Sequence, residues 1–207
     1  MKKLALVVTL IVSFSSVLLA QSNSDEKNEV SVWGGYSPTS TTSIGAVGRV
    51  PNAHFGMFAV RYARRLHDGD NVKIRWTIDG IPAAFLSYPD FEISGTPPVA
   101  RSVRENRYAW GFTPAGVQFN FRNKKKYQPF ADISAGMLFF HHIVPNFGGT
   151  KLNFTPAIGA GLEIENSNGT SFTVGYKFLH VSNANRGTSN PGIQNNLIYV
   201  GYKFHGW

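Results

Sequence analysis

A two-residue alternation of apolar and polar side chains, repeated along most of the chain, is the feature that most restricts how it can fold. In residues 151–166, KLNFTPAIGAGLEIEN, every even position up to Ile164 is apolar, and the odd positions are small, polar or charged. Residues 171–178 and 198–204 repeat this division. Because successive side chains of a β-strand point to opposite faces, the pattern predicts half-buried strands. No helical period stands out, so we expect an all-β protein.

Eight such segments can be counted, and their connections alternate between short and long. Before the three C-terminal segments come EVSVWGGY, HFGMFAVRYARR, NVKIRWTI, YAWGFTPAGVQFNF and PFADISAGMLFF. LHDGD, RNKKKY and ENSNGT predict short turns, whereas TSTTSIGAV, YPDFEISGTPPVARSVREN, HHIVPNFGG and ANRGTSNPG predict longer loops. An even number of antiparallel strands with short turns on one side is typical of bacterial outer-membrane barrels. Residues 43–50 fit either a short extra strand or part of the first long loop.

The two faces of the predicted strands differ in a way that favours a membrane. The polar face carries Gly, Ser, Thr and Asn with opposite charges such as Glu163, Lys177 and Lys203, which suits a narrow lumen. The apolar face is dense in aromatic side chains over about ten residues per strand, enough to cross a bilayer at a tilt. We therefore predict an eight-stranded antiparallel transmembrane β-barrel of the bacterial outer membrane. A soluble, lipocalin-like barrel with the apolar face inside is the alternative.

Residues 1–20 predict a secretory signal peptide, because Lys2 and Lys3 precede an apolar run that ends near Ala20. A single N-terminal membrane anchor is the alternative. Export would deliver residues 21–207, a single barrel domain, to the outer membrane. The chain has no cysteine, so neither lipoprotein attachment nor a disulfide is available. Without Lys2 and Lys3, 18 basic residues stand against 12 acidic ones, which suits anionic lipid better than nucleic acid in an exported protein.

The stretch LHVSNANRGTSNPGIQNN, residues 179–196, differs from its neighbours in being rich in polar residues. By parity, His180 and Ser182 continue the apolar face of the preceding strand, and Gln194 shares that face on the last strand. Polar groups that face hydrocarbon are costly unless they hydrogen-bond one another, which points to a function. His180 could take the proton of Ser182 and let its oxygen attack a lipid ester. The alternative is a chance pattern whose polar side chains only meet lipid headgroups.

HVSNAN, NPGIQNN and the terminal strand IYVGYKF resemble the lipid A 3-O-deacylases of the PagL type, most strongly between Gly175 and Phe204. With IPAAFLS and TPAIGAGLEIE, the likeness extends over most of the chain after the signal peptide. The resemblance implies an eight-stranded outer-membrane barrel that removes the 3-O-linked acyl chain of lipid A without a metal or another cofactor. It also implies His180 as the base, Ser182 as the nucleophile and Gln194 as the third catalytic residue. Oxyanion stabilisation or substrate positioning is assigned to Asn183, Asn190 and Gly192.

Gln194 departs from the motif of that family, which has a glutamate at this position. A glutamine can accept a hydrogen bond from the histidine ring through its amide oxygen, but it carries no charge. It can also present its NH2 group and favour the wrong tautomer of the ring. In a serine protease, the comparable change from acid to amide lowers the rate about 10⁴-fold. Three outcomes stay open: reduced activity, a substitute carboxylate such as Asp90 or Glu92, or a catalytically silent barrel with a structural or surface-interaction role.

Arg101, Arg104 and Arg186 could hold the phosphates of lipid A, since the guanidinium fork suits such oxyanions. The alternative is that they belong to a solvated loop. The His141–His142 pair has no third ligand at metal-site spacing, so we expect no metal site. The expected partner is lipid A or lipopolysaccharide in the outer leaflet, and a homodimer stays open.

Overall fold

The computed structural model describes residues 27–44, 48–144, 148–190, 192–204 and 206–207. The predicted signal peptide lies outside the described residues. The described chain forms nine strands: β1 (Asn28–Ile44), β2 (Gly48–Asp68), β3 (Val72–Ser94), β4 (Val99–Phe121), β5 (Tyr127–Val144), β6 (Thr150–Phe154), β7 (Ala157–Glu165), β8 (Ser171–Val181) and β9 (Ile193–Lys203). Within those ranges, no helix is long and apolar enough to cross a membrane.

The strands close into a ring of antiparallel pairs. The hydrogen-bonded order runs β4-β3-β2-β1-β9-β8-β7-β5-β6, and an additional pairing between β4 and β5 joins the two sides. Closure leaves no long unpaired sheet edge, which is the condition for placing strands in a medium without water. The predicted closed all-β barrel is therefore confirmed.

The strand that we predicted over residues 151–166 is divided in two. Both β6 and β7 pair with β5, one after the other, so they occupy a single position in the ring. Nine strands thus fill eight positions. The break falls at Thr155 and Pro156, where proline has no N–H to give to a ladder. The freed carbonyl of Pro156 accepts a hydrogen bond from the backbone N–H of His180 at 3.0 Å.

Two of the predicted long loops were wrong, because the chain continues there as extended hairpins. Strands β3 and β4 stay paired from Tyr88–Glu105 up to Ser94–Val99, within the segment read as a loop. Strands β1 and β2 likewise remain paired up to Ile44 and Gly48, which makes the described part of residues 43–50 strand. Beyond the membrane neither face of a hairpin must be apolar, so the alternation that reveals a membrane strand is lost.

The lower interior, at the end with the short turns, is filled by paired charges. Their buried ion pairs are Arg61–Asp79 at 2.7 Å, Arg75–Glu29 at 2.5 Å, Arg75–Glu163 and Lys177–Asp132. Burial of a charge is tolerated only when a partner of opposite charge and hydrogen bonds compensate it. This network therefore explains how the polar parity of the strands can face inwards.

The upper interior is mainly apolar, although the side chains of Asn153 and Asn195 are also buried there. Its buried side chains include Phe55, Leu86, Leu138, Phe140, Val144, Leu179, Val181, Ile193 and Leu197. The last four residues of this set lie on β8 and β9, so these strands are packed from inside along the polar stretch near the C-terminus. On the outer wall, apolar side chains are exposed: Ile133, Ile158 and Ile198 are each about three-fifths exposed. Apolar exposure on this scale suits lipid and not water.

Candidate active site

Strands β8 and β9 bring His180 and Gln194 side by side. The two residues are direct partners in the antiparallel ladder. His180 shares its face with the exposed Phe172, Tyr176 and Phe178, whereas its neighbours Leu179 and Val181 are buried inside. Side chains alternate across a strand, so His180 points to the outer wall. Both His180 and Gln194 are half-buried there.

The contact between these two side chains joins the amide Nε2 of Gln194 to the ring Nδ1 of His180 at 3.4 Å. Among the described residues it is the only hydrogen bond made by the His180 side chain. In this orientation the amide donates, so the ring proton must sit on Nε2. Turning the amide by 180° would place its oxygen against Nδ1 and move the ring proton to Nδ1, and the two orientations have nearly the same shape.

Ser182 lies directly beyond the end of β8, and two hydrogen bonds join its backbone to Phe154. Its carbonyl accepts a hydrogen bond from the N–H of Phe154 at 2.7 Å, and its N–H donates to the carbonyl of Phe154 at 3.1 Å. The hydroxyl forms no hydrogen bond with the ring of His180 in this arrangement. The structure therefore places Ser182 two residues from His180 but does not join the two side chains.

The loop after Ser182 is organised by Asn183, whose side chain is buried. Its backbone N–H donates to Oδ1 of Asn190 at 2.9 Å, and its own Nδ2 donates to the carbonyl of Ser189 at 2.7 Å. The Nδ2 of Asn190 donates to Oδ1 of Asn185 at 3.1 Å. Asn190 is thereby fixed beside the amide that follows Ser182.

Backbone conformation adds donors at the same place. Ala184 and Asn185 have φ angles of 51° and 60°, two successive left-handed residues directly after the serine segment. This turn places the N–H groups of Ala184 and Asn185 shortly after Ser182 in the chain, and the amide of Asn190 contacts Asn185 there.

Gly192 packs against the ring of His180. A Cβ atom at this position would overlap Cε1 of the ring and lie 3.1 Å from its Nε2. The absence of a side chain therefore defines where the imidazole can lie.

An apolar groove of about 660 Å³ runs along the outer wall below His180. Its lining includes Trp76, Val117, Ile133, Pro156, Ile158, Phe178 and His180. No pattern in the sequence indicates this groove. The lining comes from β3, β4, β5, β7 and β8, and on each strand these residues look like ordinary lipid-facing side chains.

The three arginines proposed for phosphate binding do not form one cluster. Arg104 donates from Nη1 to Oγ of Ser87 and from Nη2 to the carbonyl of Asn52, each at 3.2 Å. Arg101 is exposed on β4, and Arg186 is exposed in the loop after Ser182. No hydrogen bond or ion pair joins these three side chains in the described ranges.

The two acidic residues considered as substitutes lie on β3. Asp90 is buried inside the β3–β4 hairpin, and the side chain of Glu92 lies outside the described part of the structure. No group of three His, Cys, Asp or Glu residues able to hold a metal ion occurs among the residues described.

A family model for lipid A 3-O-deacylase (PagL) matches residues 58–203, a range that includes His180, Ser182 and Gln194. The chain belongs to the lipid A 3-O-deacylase (PagL) family. The PagL family model covers β3 to β9 completely and the C-terminal half of β2. Membership places the protein among lipid A deacylases at the level of the family.

Two solved structures support the barrel fold of this PagL-family chain. The crystal structure of the outer membrane enzyme PagL aligns with a TM-score of 0.51 at 18% identity, covering 86% of this chain and 98% of that one. The crystal structure of Neisserial surface protein A (NspA) aligns with a TM-score of 0.51 at 8% identity, covering 84% of this chain and 95% of that one. No curated protein sequence matches significantly. The family and the fold together indicate the bacterial outer membrane.

Proposed function

We propose that this protein hydrolyses the 3-O-linked acyl ester of lipid A, with Ser182 as the nucleophile and His180 as the base. The observation that carries this proposal is the position of His180 on the outer wall at the upper end of an apolar groove. A reactive group there meets the acyl layer and not an aqueous lumen, so its substrate must be a lipid. Membership of the PagL family supports lipid A as that lipid.

The reaction proceeds in two steps. Nε2 of His180 takes the proton of the Ser182 hydroxyl while Oγ attacks the ester carbonyl, and the imidazolium then protonates the departing sugar oxygen. The acyl chain is now on Ser182. Water, deprotonated by the same histidine, releases the fatty acid and restores the hydroxyl. The side chains of His180 and Ser182 must rotate towards each other before the first step, since they are not hydrogen-bonded at rest.

Stabilisation of the oxyanion is assigned to the loop after Ser182. One hydrogen of Asn190 Nδ2 points to Asn185, which leaves its second hydrogen for the substrate. The N–H groups of Ala184 and Asn185 lie in the left-handed turn beside it. Donors fixed before the reaction starts are worth more than donors that must reorganise, which is why the anchoring of Asn190 by Asn183 matters.

In this proposal, the orientation of the Gln194 amide limits the rate of ester hydrolysis. His180 can act as a base at Nε2 only when its proton is on Nδ1, and Gln194 must then present its oxygen and not its NH2 group. The contact from Nε2 of Gln194 to Nδ1 of His180 is the opposite orientation. Glutamine also lacks the charge that would stabilise the imidazolium. We therefore expect a slow esterase.

The same contact favours a second candidate function. If Gln194 keeps donating to His180, the protein is a catalytically silent barrel with a structural or surface-interaction role. Lipid A from cells with and without the protein separates the two candidates by mass spectrometry. Loss of one ester-linked hydroxyacyl chain at position 3, absent with Ser182→Ala, supports the enzyme. An unchanged acyl pattern with folded protein in the outer membrane supports the silent barrel.

We also infer that residues 1–20 are removed during export. The intact mass of the protein extracted from outer membranes should then correspond to a chain that begins at Gln21. A mass that includes residues 1–20 would instead support the N-terminal anchor.

A further inference from the structure

A second apolar groove, of about 560 Å³, lies on the other side of the β8–β9 pair. We call it the second groove; the first groove is the one below His180. Its lining includes Gly34, Tyr36, Phe58, Ala83, Phe85 and Ile198, from strands β1, β2, β3 and β9. The two grooves therefore flank the strands that carry His180 and Gln194.

Small residues give the second groove its depth. Gly34 and Ala83 lie among the larger Phe58 and Phe85 on the same outer wall. A Cβ atom at Gly34 would make only ordinary contacts, with the carbonyl oxygen of Met57 at 3.7 Å and Cδ2 of Phe58 at 3.9 Å, so a side chain can be added there. A larger residue at this position would fill the groove without straining the barrel.

Polar groups close the upper end of the second groove. The hydroxyl of Tyr36 and Nδ1 of His54 lie 3.0 Å apart, and the ring of Tyr36 stacks on the rings of His54 and Phe85. His54 is paired with Ser87 in the β2–β3 ladder, and Ser87 is one of the groups that hold the guanidinium of Arg104. Arg104 therefore lies just above this polar end.

The guanidinium of Arg104 is positioned but not neutralised. Its two hydrogen bonds go to the neutral groups of Ser87 and Asn52, and it forms no ion pair in the described ranges. A guanidinium carries five N–H donors, so donors remain for an anion. A fixed cation above an apolar groove is complementary to a lipid with a phosphate at its head.

The second groove is also close enough to the reactive pair to hold the same lipid molecule. Thr41 of β1 opposes Gln194 of β9, and Ser40 of β1 opposes Ala53 of β2. From β9 to β2 there are two strand spacings, roughly 10 Å. A lipid with several acyl chains could place one chain in each groove.

We propose that the second groove binds an acyl chain of lipid A that is not cleaved, while Arg104 binds a phosphate of the same molecule. The identity of the ligand rests on the proposed function, but the proposal concerns binding and does not require hydrolysis. It assigns a role in substrate positioning to a part of the barrel wall that does not contact the ester.

The test uses the full-length mature protein carrying Ser182→Ala, so that lipid cannot be consumed. Binding of hexa-acylated, bisphosphorylated lipid A in detergent micelles is titrated by native mass spectrometry. Gly34→Leu, which fills the second groove, should weaken binding about tenfold, the effect of displacing roughly two methylene groups. Arg104→Gln should weaken it about tenfold as well, the lower end for a hydrogen bond to a charged group.

Two controls make the measurement specific. Gly80→Leu adds the same side chain on the outer wall, where a Cβ meets only the carbonyl of Val60 at 3.9 Å, outside either groove. It should leave binding within twofold of the parent. Dephosphorylated lipid A should bind Arg104→Gln and the parent equally well. Ala83→Leu fills the second groove from β3 and replaces Gly34→Leu if that variant does not fold.

The outcomes separate the two proposals. Equal weakening by Gly80→Leu, or no weakening by Gly34→Leu and Ala83→Leu, would overturn the second groove as a lipid A site. Competition by phosphatidylglycerol at equal concentration would also overturn it, because the groove would then be a general phospholipid surface. Normal binding results with no deacylation by the unmutated protein would refute the hydrolase alone.

Discussion

Replacing Gln194 by glutamate tests the third residue of the proposed catalytic set, at which the PagL-type motif has a glutamate. The change restores a negative charge beside His180 and removes the NH2 group that now faces Nδ1. At 3.4 Å, with an effective dielectric constant near 20, a carboxylate stabilises an imidazolium by about 5 kcal/mol. Both residues are half-buried, so screening by solvent reduces this to about 3 kcal/mol. The predicted gain in rate is therefore about 10²-fold.

The assay follows release of the hydroxy fatty acid from lipid A by purified protein in micelles, under single-turnover conditions. Gln194→Glu is compared with the parent, with Gln194→Ala and with the double variant that also carries Ser182→Ala. The double variant should be inactive, and Gln194→Ala should not exceed the parent. If the parent is active and Gln194→Glu brings no gain, another group already orients His180, and the role assigned to Gln194 is wrong.

Three further predictions concern the ring, the first groove and the short-turn end. Gly192→Ala should lower kcat at least tenfold by displacing the His180 ring, with an unchanged unfolding midpoint; equal kcat would contradict the packing argument. Ile158→Trp should raise KM for long acyl chains about tenfold by filling the first groove, whereas Val174→Trp, outside both grooves, should not. Burial alone would raise the pKa of Asp68, but the hydrogen bond from Asn123 and the charge of Arg65 outweigh it and hold the pKa below its ordinary value. Stability from Asp68 is therefore present above the ordinary pKa and lost as the pH falls through the lowered one, so Asp68→Asn should reduce the urea midpoint at pH 7 and make no difference in strong acid.

The barrel itself was predictable from sequence, and the reason is local. Lipid on one side and a charged lumen on the other require opposite chemistry at successive residues. The alternation in residues 171–178 therefore indicates which side chains face the lipid. The same parity predicted that His180 and Gln194 share the outer face, and the β8–β9 ladder pairs them there. Where those constraints end, the prediction is wrong: beyond Tyr88 the sequence predicts a loop, whereas β3 and β4 continue there as a paired hairpin.

Everything that depends on several strands at once was decided by the tertiary structure. Each groove needs residues from four or more strands, and no pattern along one strand marks Ile133 or Gly34 as part of a cavity. The orientation of Gln194 towards His180, the anchoring of Asn190 by Asn183 and the position of Arg104 over Ser87 are also contacts between separate segments. Alternation along the chain determines which side of the wall a residue faces, because that depends only on its own strand. Ring closure and register determine which residues meet on that side, because those depend on every strand.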